Sequence, residues 1–154
     1  MIPIAQRVGQ NLLVALAYFL LGKLGLLIAL PPGYVSAIWP AAGLAFACTA
    51  LWGGRRIGCG IFLGSVLTNA MVGGGFHLDS VALAIALGST LQAILGGYWL
   101  RRSLPNLTLD GPDKVLRFSL IGVGSAVIAA TVGNFVLWSH GFIGPTEVPR
   151  SFLT

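Results

Sequence analysis

Few side chains in this sequence could do chemistry, and their spacing rules out most reactions. Catalysis needs a nucleophile beside a base, a pair of carboxylates or a metal cluster. The acidic residues, Asp79, Asp110, Asp113 and Glu147, all fall between apolar runs. His77 and Asp79 could share a metal with His140 at one face, but they stand on loops without the spacing of a ligand set. Gly22 before Lys23 is no phosphate loop, since neither the upstream glycines nor a following Ser or Thr is present. Cys48 and Cys59 form no CxxC pair and read as small apolar residues. No catalytic residue, metal ligand or cofactor is expected.

What remains is a set of polar groups stranded in apolar sequence: Lys23, Asn69, Gln92 and Asn134. An amide or ammonium within a bilayer must find a partner or a wet cavity. Two readings compete for them. Lys23 can snorkel to the surface or pair with Asp79, and the amides can hydrogen-bond between helices. Alternatively they line one polar cavity and, with Trp39 and Pro40, form a ligand-binding set. A cation there suits an anionic ligand, a carboxylate or a phosphate.

The elements that must position these groups follow from composition. The chain is 56% hydrophobic and 8% charged, with a mean hydropathy of +0.89, whereas soluble domains carry roughly 25% charged residues. This predicts an all-α integral membrane helical bundle with about five transmembrane helices, each of about 20 apolar residues. The spans are expected at Asn11 to Leu30, Ile38 to Trp52, Ile57 to Val72, Val81 to Leu100 and Val115 to Trp138. Pro31, Pro32 and Gly33 stop the first. Trp39 and Pro40 open the second, and Trp52 closes it at the other interface. The first run is long, contains Lys23 and is followed by further runs, so it stays as a helix and is not a cleaved signal.

The net charge of +5 does not point to nucleic acid, because the basic residues cluster between apolar runs as topology requires. Arg7, Arg55, Arg56, Arg101, Arg102, Lys114 and Arg117 fall on one side and Arg150 on the other. The amino terminus is therefore expected in the cytoplasm and Thr154 outside. On that topology Lys23, Asn69 and Asn134 lie about 5 to 10 Å below the outer ends of their helices and Gln92 near the midplane, at about 1.5 Å per residue.

Helices in lipid associate through small residues. Three seams at four-residue spacing are expected: Gly60, Gly64 and Thr68; Ala84, Gly88, Gln92 and Gly96; Gly122, Ala126, Ala130 and Asn134.

Around Trp39 the sequence becomes specific. The run Pro31-Pro32-Gly33-Tyr34-Val35-Ser36-Ala37-Ile38-Trp39-Pro40-Ala41-Ala42-Gly43 resembles the type-one MASE class, a membrane-associated sensor domain of bacterial signalling proteins. Gly22-Lys23-Leu24-Gly25-Leu26, Gly53-Gly54-Arg55-Arg56, Phe62-Leu63-Gly64-Ser65 and Asn69 extend the likeness, clearest over residues 18 to 70. The resemblance implies an inner-membrane, multi-pass sensory region, usually with more helices than these. Such regions are fused to histidine kinase, diguanylate cyclase or cyclic-diguanylate phosphodiesterase output domains.

The expectation is therefore one transmembrane sensory region over residues 1 to 154, truncated before further helices and an output domain. It would be non-enzymatic and would detect a small ligand or a membrane-protein partner. Expected partners are the lipid bilayer, that ligand or protein, a downstream output domain and a second copy in a homodimer. Nucleic acid is excluded. The alternative is a transporter subunit or half-transporter, for which small-residue seams and buried amides would also serve. A plain membrane anchor is a third.

Overall fold

The computed structural model describes residues 3–28, 39–72 and 75–141. Helices account for most of them: α1 (Ile4–Leu27), α2 (Pro40–Trp52), α3 (Gly54–Ala70), α4 (Ser80–Ser103) and α5 (Pro112–Ser139). No strand occurs among the described residues. Helices α1, α4 and α5 are long and apolar enough to cross a membrane. The 13 residues of α2 and 17 of α3 reach only about 20 and 26 Å at 1.5 Å per residue, against a hydrocarbon core of about 30 Å. The protein is a helical membrane bundle in which two of the five helices are short.

The helix ends differ from expectation for local reasons. The first helix begins at Ile4, seven residues before Asn11, because Gln6, Arg7, Gln10 and Asn11 continue the helix past the apolar run. Asn11 is thus an interior position, not an end. α3 begins at Gly54 instead of Ile57, since the corner after α2 needs one residue, Gly53, at φ +87°. Only glycine takes that conformation without a Cβ penalty. α4 and α5 each extend a few residues beyond their expected ends. The expected start at Ile38 and the stop at Pro31, Pro32 and Gly33 lie outside the described residues.

The helices α1, α3, α4 and α5 pack in that sequence as a row, with α2 wedged against α1 and α4 and touching α3. The core is built from small side chains: Ala15, Ala41, Ala45, Ala50, Ala70, Ala82, Ala86 and Ala93 are buried, with Tyr18 and Ile61 among the few large ones. Leucines face outward instead, as Leu12, Leu16, Leu20 and Leu24 do along α1. Small residues inside and leucines outside is the arrangement expected when lipid is the solvent.

The expected α3 seam meets α1. A Cβ on Gly64 would lie 2.7 Å from the carbonyl oxygen of Ala15, and one on Gly60 would strike the Asn11 backbone. The α4 seam also forms, with Gly88 against Val132 and Gly96 against Phe46 and Ser125. The α5 seam does not form as expected. Nothing lies near Gly122 and Ala126 is exposed, while Ser125 and Val132 meet α4. The glycines that admit this contact belong to α4, so α5 presents larger side chains to them.

Candidate functional site

The helices run so that Arg7, Arg55, Arg56, Arg101, Arg102, Lys114 and Arg117 gather at one end of the bundle. At the opposite, distal end the polar residues picked out from sequence fall into two groups. The first surrounds α1. A Cβ on Gly25 would lie 3.0 Å from the Trp39 ring and 3.6 Å from Cδ of Pro40, so the start of α2 is pressed onto α1 there. One turn earlier Gly22 abuts Thr68 of α3. Trp39 is half-buried against a core cluster that includes Tyr18, Ala41, Ala45 and Ile61. Pro40 occupies the first turn of α2, where its missing N–H would be unpaired in any case.

Lys23 reaches from α1 to α3. Its Nζ donates to the carbonyl of Met71 at 2.8 Å and stands 5.8 Å from the centroid of the Phe19 ring. Met71 is the C-cap of α3, so the ammonium meets the negative end of that helix. The alternative pairing with Asp79 is not made: the Asp79 carboxylate caps α4 by accepting from the Ala82 N–H at 2.8 Å. Asn69 is half-buried and donates back along its own helix to the Ser65 carbonyl at 2.8 Å. Lys23, Trp39 and Pro40 thus meet at α1 near Gly22 and Gly25, while Asn69 lies near the same end of α3 and bonds within its own helix.

The second group belongs to α4 and α5. Gln92 lies one turn from both Gly88 and Gly96, the two glycines that receive Val132 and Ser125, and is half-buried. Asn134 is buried two residues beyond Val132. Gln92 therefore lies along the α4–α5 contact, while Lys23 bridges α1 to the end of α3 and Asn69 bonds within α3. Sequence depth placed all four at related levels without indicating which interface each would enter.

The residues weighed as metal ligands are used otherwise. His140 lies 3.1 Å from Ser80 Oγ through Nε2 and 3.0 Å from the Val136 carbonyl through Nδ1, which joins the end of α5 to the start of α4. Asp79 caps α4, and among the described residues no three His, Cys, Asp or Glu side chains group to hold a metal.

Sequence reasoning missed the polar clamps near the basic end. Asn11 donates through Nδ2 to the Arg56 carbonyl at 2.8 Å and accepts through Oδ1 from the Gly60 N–H at 2.7 Å. Arg56 and Gly60 are the pair that a helical turn would join, so one side-chain amide spans a turn of α3. Arg56 returns the contact, its Nε donating to Gln10 Oε1 at 2.7 Å. Thr49 on α2 donates across to the Ala93 carbonyl of α4 at 2.6 Å. The signal available in sequence was the Gly60 and Gly64 pair on α3, which admits the close crossing that Asn11 fills.

A helical membrane bundle with an α-helix opened by Trp39-Pro40 at its distal end and a basic opposite end defines the class. The MASE1 family model matches residues 10–150, and the chain belongs to that family of membrane-associated sensor domains, a sensory region of signalling proteins. No curated protein and no solved structure matches it.

Proposed function

We propose that the chain is the sensory region of a receptor in the bacterial inner membrane. Its amino terminus and basic end lie in the cytoplasm, and its distal end receives a small anionic ligand. Lys23, Trp39, Pro40 and Asn69 form the entrance, and Gln92 and Asn134 transmit occupancy through the α4–α5 contact. The output is a cytoplasmic domain downstream, a histidine kinase or a cyclic-diguanylate enzyme. The orientation rests on the bias of Lys and Arg, which are retained on the cytoplasmic side.

The observation that carries this reading is the short helix α2. Its last residue is Trp52, next to the basic corner, and at about 20 Å it is shorter than a hydrocarbon core of about 30 Å, with its Trp39-Pro40 start pressed onto Gly25 of α1. A helix N-terminus within the membrane turns a positive dipole end toward an anion, and Lys23 stands within one turn of Gly25, on which Trp39 rests. The Lys23 bond to the Met71 carbonyl is an exchangeable partner: a carboxylate or phosphate would make the stronger, charge-assisted bond.

The purified chain screened against a panel of small carboxylates and phosphate monoesters tests this, read by the shift in thermal unfolding. The expected result is stabilisation by at least one compound, lost in Lys23→Met, and no transport of it by proteoliposomes. Flux would favour the transporter reading. Stabilisation unchanged in Lys23→Met and Asn69→Leu would remove the distal site.

A further inference from the structure

We infer that the turn between α4 and α5 at the basic end binds the phosphate headgroup of an anionic phospholipid. The turn is built, not slack. Leu104 is buried among Phe46, Ala50 and Leu100, its N–H donates to the Leu100 carbonyl at 2.7 Å, and the Leu107 N–H donates to the Leu104 carbonyl at 2.9 Å. Leu107 is held at φ +50°, a conformation uncommon outside glycine, asparagine and aspartate. The chain bows outward there and leaves a half-open cleft of about 280 Å³. That is just below the roughly 300–1,000 Å³ of small-molecule pockets, which suits a headgroup and not a whole lipid.

The lining is chemically suited to phosphate. Ser103, Asn106 and Thr108 supply neutral hydrogen-bonding groups, and Lys114 and Arg117 supply charge. Lys114 is already engaged, bonded to Asp110 and Thr108. Arg117 is not: among the described residues its guanidinium has no ion pair and no hydrogen bond. A guanidinium free at the wall of a cleft is the donor geometry that phosphate oxygens take in pairs. Asp113 also lines the cleft and opposes an anion. It stands in the first turn of α5, where the helix dipole favours a carboxylate. Over residues 101–117 the four cations Arg101, Arg102, Lys114 and Arg117 exceed Asp110 and Asp113 by two charges.

The occupant is a lipid because of what flanks the cleft. Leu109, Val115, Leu116 and Leu120 are exposed around it, so acyl chains meet apolar surface just where a headgroup meets Arg117. Basic pockets at the cytoplasmic ends of membrane helices recognise anionic headgroups in this way. The inference needs only that this end faces a lipid–water boundary and does not depend on the ligand reading of the distal end.

The test uses the full chain purified in neutral detergent and titrated with short-chain phosphatidylglycerol, phosphatidylcholine of the same chain length, and inorganic phosphate. Bound lipid is counted by native mass spectrometry. Phosphatidylglycerol should be retained in preference to phosphatidylcholine, and inorganic phosphate should compete poorly. Arg117→Gln should weaken retention about fivefold, the effect of one basic residue near an anionic surface, and Asp113→Asn should strengthen it. Arg55→Gln, on the same face but outside the cleft, should change it less. Equal retention of the two lipids, or an Arg117→Gln effect no larger than that of Arg55→Gln, overturns the site. Inorganic phosphate binding as well as phosphatidylglycerol overturns the lipid as its occupant. If Arg117→Gln fails to fold, a fall in retention in Asp113→Asn is the overturning result.

Discussion

The α1–α3 contact and the α4–α5 contact are both built on glycine, and they hold very differently. Gly60 and Gly64 bring α3 against the backbone of α1, and the Asn11 amide is inserted at the crossing. On α5 the glycines at 122, 124 and 133 face open space, and the helix leans on α4 through Ser125 and Val132. Only 17% of the most apolar stretch of α5 is buried, against 39% for α4. Backbone approach with a polar clamp fixes one register. Side chains resting in glycine notches allow several at similar energy, because packing between helices in lipid is driven by contact alone. The sensory reading proposed above calls for a fixed part to define a ligand site and a part that can be displaced cheaply; the packing of α1, α2 and α3 has the features of the first and that of α5 those of the second.

The comparison breaks most readily at Gly60. Gly60→Leu places a branched side chain where even a Cβ would strike the Asn11 backbone, and overpacking of this kind costs about 1–3 kcal/mol or more. The purified variant should melt well below the native chain or fail to fold. Gly124→Ala, with nothing near it, should hold the native melting temperature or exceed it, since alanine is favoured over glycine in a helix by roughly 0.5–1 kcal/mol. If both variants melt alike, α5 is packed as tightly as α3 and the distinction falls.

The Asn11 clamp is the next largest effect. Asn11→Leu removes both bonds to α3 while keeping an apolar side chain in place, and bonds between membrane helices are worth about 0.6–2 kcal/mol each. Melting should fall by an amount between those of Gly60→Leu and a surface change. Proteolysis or hydrogen exchange should show α1 and α3 loosening together, with α5 unaffected. Thr49→Val tests the corresponding link from α2 to the Ala93 carbonyl of α4 and should cost about half as much, as one such bond is lost.

How much of this was legible in the sequence divides along the same line. The five helices were, because five apolar runs are separated by Gly, Pro and Arg breaks, although only α1, α4 and α5 prove long and apolar enough to cross a membrane, and the Gly60, Gly64 and Thr68 spacing identified the α3 face that meets α1. The start of α1 was not, since Gln6, Arg7, Gln10 and Asn11 dilute the apolar signal although they form a good helix. Lys23 stood out as an ammonium in an apolar run, but its acceptor is the backbone carbonyl of Met71, and a carbonyl leaves no trace in residue type. Asn11 read as a span boundary and Thr49 drew no reading for the same reason: both bond to main chain. The seam on α5 was misread because four-residue spacing identifies a face and not whether a neighbour occupies it.

The smallest effect should come from Asp110, in the turn that joins α4 to the loosely held α5. The Lys114 hydrogen bond, with a further contribution from its own backbone and the Lys114 charge, holds the Asp110 carboxyl below its ordinary value. A depressed carboxyl pKa means that the native state favours the ionised form. Its contribution is therefore complete above the ordinary carboxylate range and is lost as pH falls through the lower folded value. Asp110 is fully exposed, so water and salt screen the pair, and Asp110→Asn should leave the melting temperature of the chain unchanged near neutral pH. If the variant instead melts lower at neutral pH and the difference closes on acidification, the Asp110–Lys114 pair is anchoring the start of α5. In that event the turn, and not the α4–α5 seam, is where α5 is held.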